Sequence, residues 1–257
     1  MKVLVIPDCQ VRPGVPTDHL EWAGKYIVDK RPDVIINIGD FADMPSLSTH
    51  DKAGSKAFEG LRYREDVESA KRAMTRLLAP LRALQGQQKK NKDKVYRPRM
   101  ELLLGNHEHR ISRAVNNLPI LEGTLSVKDL CYEKDWNVHP FLQPLVINDV
   151  VFNHYFPVGA IGRPAASAAT MVSKLHQSCV AGHQQGRQVA YGRKADGQAI
   201  TCIIAGSFYL HDESYMDVTS NRHWRGLVML NELEHGHYDE MFVSTNYLKR
   251  KYGNEPL

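Results

Sequence analysis

The sequence lacks most of the features that mark secreted, membrane-bound or disordered proteins. Its four cysteines are scattered and include no Cys-x-x-Cys pair, which argues against a disulfide framework and favours a reducing compartment. No apolar run approaches the ~20 residues that a membrane span needs, and the first residues lack the layout of a signal peptide. The formal charge is only +4, so an anionic substrate is permitted but not required. These absences predict a cytoplasmic protein without membrane association.

The composition is that of a globular protein. Hydrophobic residues make up 42% and charged residues 24% of the 257 residues, which argues against wholesale disorder. The pattern changes near residue 135 from alternating strands and helices to mostly short strands, but no linker-like stretch marks a boundary. We therefore expect one domain spanning residues 1–257, with two packed sheets.

The first third of the chain predicts a parallel α/β sheet. The apolar runs "KVLVIPD" and "PDVIINIGD" flank "TDHLEWAGKYIVDK", whose apolar residues recur at helical spacing. Residues 61–84 form a long amphipathic pattern, which Pro80 is expected to kink or end. A basic surface excursion is expected at about 85–99, before a third strand in "MELLLGNHE", and a short basic tail at about 246–257.

Five polar clusters each follow an apolar run directly. In an α/β sheet such clusters converge outside the carboxyl ends of the strands. Each cluster alone is weak, since a lone Gly-Asp is usually a turn and a lone buried histidine is usually a core residue. Together they predict one functional site. The five clusters are "DCQ" at 8–10, "GDFAD" at 39–43, "GNHE" at 105–108, His154, and "GHQQ" at 182–185.

The order and chemistry of these clusters resemble the signature of the calcineurin-like metallophosphoesterases. That signature reads Asp-x-His, Gly-Asp-x-x-Asp, Gly-Asn-His-Asp/Glu, His, and Gly-His-x-His. The resemblance covers residues 3 to about 210, with phage-encoded members as the nearest type. It implies a four-layer αββα sandwich and two divalent metal ions at the edge of the sheets.

The resemblance also implies a ligand set for each metal. Asp40, Asn106, His154 and His183 occupy the places of the second metal's ligands, and all four match the family. The first metal would use Asp8, Asp40 as a shared bridge, and two histidines. Those two histidine places hold Gln10 and Gln185 here, so both departures fall on the same metal.

The replacements affect which ion the first site would prefer. Imidazole suits zinc and iron, whereas carboxylate and carbonyl oxygens suit magnesium and manganese. We expect a tight second site and a weaker first site, with Mn²⁺ as the preferred ion and Mg²⁺, Fe²⁺ or Zn²⁺ as alternatives. Paired amides beside an intact second set indicate retuning of the site rather than its decay.

The resemblance implies hydrolysis of a phosphate ester by a hydroxide that bridges the two metals. In this arrangement His107 would donate a proton to the leaving oxygen, and Asp43 would orient His107. Three further residues are candidates for substrate binding. They are Arg110, Arg163 and His211. Each also has an ordinary explanation: Arg110 as a solvated helix residue, Arg163 as part of an ordinary turn, and His211 as a residue away from the pocket rim.

Three functions remain open at this point. The first is a phosphodiesterase or nuclease, for which the basic runs 89–99 and 248–253 could contact DNA or RNA, although such runs are more often solvated. The second is a phosphomonoesterase acting on nucleotides or proteins. The third is a scaffold that kept the fold without the chemistry. Retention of Asp43, Asn106 and His107 argues against the scaffold, which needs none of them.

Overall fold

The computed structural model describes residues 1–49, 58–213 and 216–253. Within these ranges the α-helices are α1 Asp18–Lys30, α2 Tyr63–Asn91, α3 His109–Asn117, α4 Ala168–Leu175 and α5 Thr245–Tyr252. The β-strands are β1 Val3–Ile6, β2 Val34–Asn37, β3 Arg99–Leu103, β4 Asn137–His139, β5 Leu145–Ile147, β6 Val150–Asn153, β7 Pro157–Val158, β8 Arg163–Pro164, β9 Cys179–Ala181, β10 Gln188–Arg193, β11 Ala199–Ile204, β12 Gly226–Glu234 and β13 His237–Ser244.

The first sheet has six strands in the order β13-β12-β1-β2-β3-β4. Strands β1 to β4 run parallel, and β12 lies antiparallel to β1. The two apolar runs of the predicted βαβ unit are neighbours, with Val3 beside Val34. Both strands are buried along their whole length, which explains why their sequences do not alternate.

The second sheet has five strands in the order β10-β11-β9-β6-β5. Strand β9 is parallel to both of its neighbours, β6 and β11. The carboxyl ends of β6, β9 and β11 therefore share one edge of this sheet. Strands β7 and β8 form a separate two-stranded hairpin.

Three apolar clusters show that the two sheets lie face to face between helices. Ile36 of β2 and Phe152 of β6 belong to the cluster between the sheets. Leu4 of β1 faces the other way and packs in the cluster that includes Leu77 of α2. Met171 of α4 covers the outer face of the second sheet. This confirms the four-layer αββα sandwich expected from the sequence.

Helix α2 is longer than the sequence predicts. It contains Pro80 and continues to Asn91, so of the two expected outcomes, a kink or an end at Pro80, the end is wrong. The helix persists there because Pro80 packs on α1, where its ring lies against Gly24. The predicted excursion at 85–99 is therefore helical over its first seven residues, and Gln88 in that part is buried.

The predicted basic tail is also mostly helical. Residues 245–252 form α5, and Leu248 is buried in the same cluster as Leu20 of α1. Residues 254–257 of that tail lie outside the described residues. Within the described ranges, none of the helices is both long and apolar enough to span a membrane.

Candidate metal centre

The five predicted polar clusters lie together at one edge of the sandwich. They follow β1, β2, β3, β6 and β9. The backbone N–H groups of Cys9 and Gln10 donate to the carbonyl oxygen of Asp40, at 3.0 and 2.9 Å. The N–H of His183 donates to Asp8 Oδ1 at 3.1 Å. These bonds join the loops after β1 and β2 in one sheet with the loop after β9 in the other.

Asp40, Asn106, His154 and His183 form one compact cluster. Asn106 Oδ1 lies 2.9 Å from His154 Nε2 and 2.8 Å from His183 Nδ1, and Asp40 Oδ2 lies 3.2 Å from His154 Nε2. Ligand atoms of the carboxylate and the two imidazoles lie within 4.8 Å of one another, so these residues could hold one metal ion. His154 Nδ1 donates to the carbonyl oxygen of Ile38 at 2.9 Å, which turns Nε2 toward the cluster.

The residues expected at the first metal have unsatisfied oxygen atoms. Asp8 Oδ2, Gln10 Oε1 and Gln185 Oε1 are shielded from solvent and accept no hydrogen bond among the described residues. Leaving a buried acceptor without a partner costs about 1–3 kcal/mol. Mg²⁺ and Mn²⁺ prefer carboxylate and amide oxygens of this kind as ligands. The donor set therefore fits a hard divalent cation.

Three residues of the site have strained backbone conformations. Gln10, Asp40 and His183 have left-handed φ angles of 43°, 51° and 66°. Such conformations cost about 1–3 kcal/mol for residues other than glycine and cluster at functional sites. Close packing maintains them: a Cβ atom on Gly105 would lie 2.0 Å from Asp40 Oδ1.

Burial and charge shift the pKa values of the cluster in opposite directions. Burial raises the pKa of the Asp8 carboxyl. Burial opposes ionisation of Asp40 as well, but the neighbouring His107 and His154 hold its pKa well below the ordinary value. Despite burial, the Asp40 charge raises the pKa of His154 to about 9, whereas burial and the nearby His154 lower the pKa of His183 to about 4. His183 is therefore neutral at pH 7, the form in which imidazole binds metals.

His107 and Asp43 form a directly bonded pair beside the cluster. His107 Nδ1 lies 2.7 Å from Asp43 Oδ1, and since a carboxylate only accepts, Nδ1 carries the proton. Nε2 is 3.7 Å from Asp40 Oδ2. Burial disfavours the charged imidazole, but the Asp40 charge and the Asp43 hydrogen bond raise its pKa above the ordinary value.

Arg110 is not a solvated helix residue. Its side chain is buried beside His107 and Asp43. Nη1 donates to the carbonyl oxygen of Asp43 at 2.8 Å, and Nη2 donates to His107 Nε2 at 3.2 Å. Arg110 thus lies within the site, but these bonds occupy part of its guanidinium.

The other two candidates for substrate binding lie in different surroundings. Arg163 is exposed in the β7–β8 hairpin. His211 stacks on Tyr209, and its Nε2 lies 2.8 Å from Glu213 Oε1. The segment 208–215 that carries His211 is described only to residue 213.

Glu108 organises the loops of the site, although the sequence assigns it only to the "GNHE" motif. Its buried carboxylate accepts backbone N–H groups from Asp40, Ala42 and Gly105, at 3.0, 2.8 and 2.9 Å. One side chain thereby fixes the loop after β2 against the loop after β3. The sequence shows an acidic residue after "GNH", but it does not show its three partners.

Two residues at the site belong to no motif. Arg12 Nη1 donates to Asp43 Oδ2 at 2.8 Å and to the carboxylate of Glu213 at 2.9 and 3.0 Å. Glu213 is buried, although it lies in an irregular segment after β11. Arg12 therefore contacts the His107–Asp43 pair directly, and Glu213 is linked to it through Arg12. The sequence assigns a role to neither residue.

The basic runs lie at the opposite end of the first sheet from the cluster. Tyr96 in the first run donates its hydroxyl to the carbonyl oxygen of Pro32 at 2.6 Å, just before β2 begins. Lys251 in the second run pairs with Asp29 in the last turn of α1 at 2.6 Å. The cluster, by contrast, lies where β1, β2 and β3 end.

Comparisons with known proteins give limited matches. No protein-family model matches the sequence. The gene 54 protein of Mycobacterium phage D29 is 36% identical over 109 residues, which are 42% of this chain and 36% of that protein. The match thus spans little more than a third of that relative's length. YfcE, a phosphoesterase from E. coli, superposes with a TM-score of 0.40 at 11% identity, covering 96% of this chain and 100% of the other.

Proposed function

We propose that the protein is a divalent-metal-dependent phosphoesterase that prefers phosphodiesters, with nucleic acid among its candidate substrates. One observation carries the proposal. The compact cluster of Asp40, Asn106, His154 and His183 is joined to Asp8 through the His183 N–H, and buried oxygen atoms of Asp8, Gln10 and Gln185 have no hydrogen-bond partner among the described residues. The pattern of these residues resembles the calcineurin-like metallophosphoesterases, and a segment of the chain is similar to a phage-encoded protein.

The two ligand sets differ in the ions they suit. The imidazole-rich set around His154 and His183 would hold one ion, and the oxygen-rich set of Asp8, Gln10 and Gln185 a second, with Asp40 shared. Paired divalent cations supply an activated water and neutralise charge on the phosphoryl oxygens. Oxygen ligands favour Mn²⁺ or Mg²⁺ over Zn²⁺ in the oxygen-rich set.

His107 would protonate the leaving group. In hydrolysis the water oxygen forms a new bond to phosphorus, and the ester bond breaks with its electron pair passing to the leaving oxygen. A proton from His107 Nε2 completes that oxygen as a hydroxyl group. Because Arg110 donates to Nε2 in the present arrangement, the guanidinium must turn away when Nε2 is protonated.

The charges at the site support a preference for diesters. Two arginines, Arg12 and Arg110, bond to the His107–Asp43 pair, and Asp43 and Glu213 already engage them. A monoester dianion carries more charge to neutralise than a diester monoanion. A site whose guanidinium groups are already paired is better matched to the diester.

An assay with two chromogenic esters tests the proposal. The chain is stripped with chelator and reloaded with Mn²⁺, Mg²⁺ or Zn²⁺, and hydrolysis of bis(p-nitrophenyl) phosphate is compared with that of p-nitrophenyl phosphate. We expect Mn²⁺-dependent turnover with a higher kcat/KM for the diester. His107→Asn should retain metal and lose about 10²–10⁴ in rate with a phenyl diester, whose leaving group needs a proton, and much less with the p-nitrophenyl esters. Turnover of neither ester with any of these ions would favour the non-catalytic scaffold.

A further inference from the structure

A chain of charged side chains leads from His107 to a distant segment of the sequence. Asp43 bonds His107 Nδ1 through Oδ1 and Arg12 Nη1 through Oδ2, at 2.7 and 2.8 Å. Arg12 is held in turn by both carboxylate oxygens of Glu213. The two oxygens of Asp43 thus have separate partners, one on each side.

Glu213 is well suited to fix Arg12. It is 2% exposed, so its charge is shielded from solvent and interacts more strongly with its partner. Its backbone N–H donates to Asn221 Oδ1 at 2.8 Å, and its Oε1 lies 2.8 Å from His211 Nε2. The carboxylate therefore comes from a segment that is itself tied down by hydrogen bonds.

The geometry constrains the orientation of Asp43. With Oδ2 bound to Arg12, the carboxylate cannot rotate without breaking a charged hydrogen bond, and Oδ1 stays directed at His107. Charge-assisted bonds of this kind are roughly twice as strong as neutral ones. If Arg12 served only to stabilise the fold, its loss would affect all substrates alike.

We infer that Arg12 and Glu213 are positioning residues that hold Asp43, and through it His107, in the orientation for proton donation to the leaving group. This inference rests on the proposed function, because it concerns the same reaction. Neither residue touches the substrate or the metal ligands in this role. Their effect is expected to depend on how much the leaving group needs a proton.

A series of aryl methyl phosphates with different leaving phenols tests the inference. A good leaving group such as p-nitrophenolate departs without a proton, whereas phenol needs one. For Arg12→Ala we expect kcat to fall about 10–100-fold with the phenyl ester and less than about 3-fold with the p-nitrophenyl ester. Glu213→Gln should give the same pattern more weakly, and Arg12→Lys should restore part of the rate.

Asp212→Asn is the matched control. Asp212 adjoins Glu213, but its exposed carboxylate pairs with Arg225 and contacts neither Arg12 nor Asp43. It should retain the parent's dependence on the leaving group, and His107→Asn should show the steepest dependence. Equal losses of Arg12→Ala across the series, or no loss, would overturn the inference while the parent's turnover left the proposed function intact.

A spectroscopic measurement tests the same inference without turnover or metal. The Nδ1 proton of His107, bonded to Asp43, should give a protected downfield signal in the proton NMR spectrum of the metal-free chain, assigned by its loss in His107→Asn. We expect the signal in the parent and in Asp212→Asn, and its loss in Arg12→Ala. An unchanged signal in Arg12→Ala contradicts the inference even if the parent hydrolyses no ester.

Discussion

Gln10 and Gln185 place amide side chains where the calcineurin-like metallophosphoesterases, which the sequence resembles, have imidazoles. Both amide oxygens are shielded from solvent and lack partners among the described residues, as does Asp8 Oδ2. A decayed site would be expected to fill such positions with apolar or internally bonded side chains, because unpartnered buried oxygens are costly. At the scale of single residues, we therefore propose retuning rather than decay.

Some residues of the site could be predicted from the sequence and others could not. The proposed ligands follow apolar runs within short motifs, so pattern alone is enough to propose them. Arg12 and Glu213 are 201 positions apart in sequence, and neither belongs to a motif. Their pairing depends on how the segment after β11 folds back over the loop after β1, which no local pattern encodes.

His19 provides a prediction about acid stability. Its side chain is 1% exposed, and burial, with the nearby His211, lowers its pKa to about 3. Between this value and the ordinary value of 6.5, the unfolded chain binds a proton that the native chain does not. Stability from this residue is therefore full above pH 6.5 and is lost as the pH falls toward 3, by up to about 1.4 kcal/mol per pH unit.

Urea unfolding at several pH values measures this contribution. His19→Leu should flatten the fall of the unfolding free energy between pH 6 and 4, whereas replacing the exposed His235 with asparagine should not. A parent and a His19→Leu variant with parallel pH profiles would show that His19 is protonated in the native state.

At the scale of elements, the errors of prediction share one cause. The helix α2 passes through Pro80, and α5 forms where a tail was expected, because both pack on α1. Local propensity disfavours a proline inside a helix by about 3 kcal/mol. Packing against a helix that is distant in sequence offsets that cost. The sequence pattern of one helix alone does not reveal this packing. The strands β1 and β2 were predictable because their apolar runs are uninterrupted.

Two glycine substitutions test the packing of α1 on α2. A Cβ atom on Gly24 would lie 2.3 Å from the Leu77 carbonyl oxygen and 2.9 Å from Pro80 Cδ. Gly24→Ala should therefore lower the unfolding free energy by about 1–3 kcal/mol. Gly86→Ala is the matched control, since Gly86 lies in α2 and an added methyl group there would have nothing within 4 Å.

Gly86→Ala should raise the unfolding free energy by about 0.5–1 kcal/mol, because alanine loses less backbone entropy in a helix. Urea denaturation of both variants distinguishes packing from propensity. If Gly24→Ala raised the unfolding free energy as much as Gly86→Ala, α1 and α2 would not approach each other as closely as the structure shows.

At the scale of the whole molecule, the four-layer architecture was predictable and the location of the charges was not. Helices α1, α2 and α5 all run from the end of the sheet that carries the cluster toward the opposite end. Their basic last turns are therefore remote from the cluster, although the sequence makes both basic runs candidates for contact with a substrate. The position of a basic run in the sequence does not show how far it lies from the cluster, because that distance depends on the direction of each helix.

Charge reversal at the basic runs tests their separation from the site. The exposed residues Lys89, Lys90 and Arg250 lie in the last turns of α2 and α5. Changing all three to glutamate should leave kcat/KM for bis(p-nitrophenyl) phosphate within about 2-fold at physiological salt, since screening acts over about 8 Å. A large rise in KM would place these charges near the substrate.

The central claim is that the chain holds two unequal divalent cations at one edge of the sandwich. Calorimetric titration of Mn²⁺ into the metal-free chain tests it most directly. We predict one tight and one weaker site, with the weaker site tightened for Zn²⁺ when Gln10→His and Gln185→His are combined. Two equally tight Zn²⁺ sites in the parent, or the absence of any bound Mn²⁺, would contradict the account.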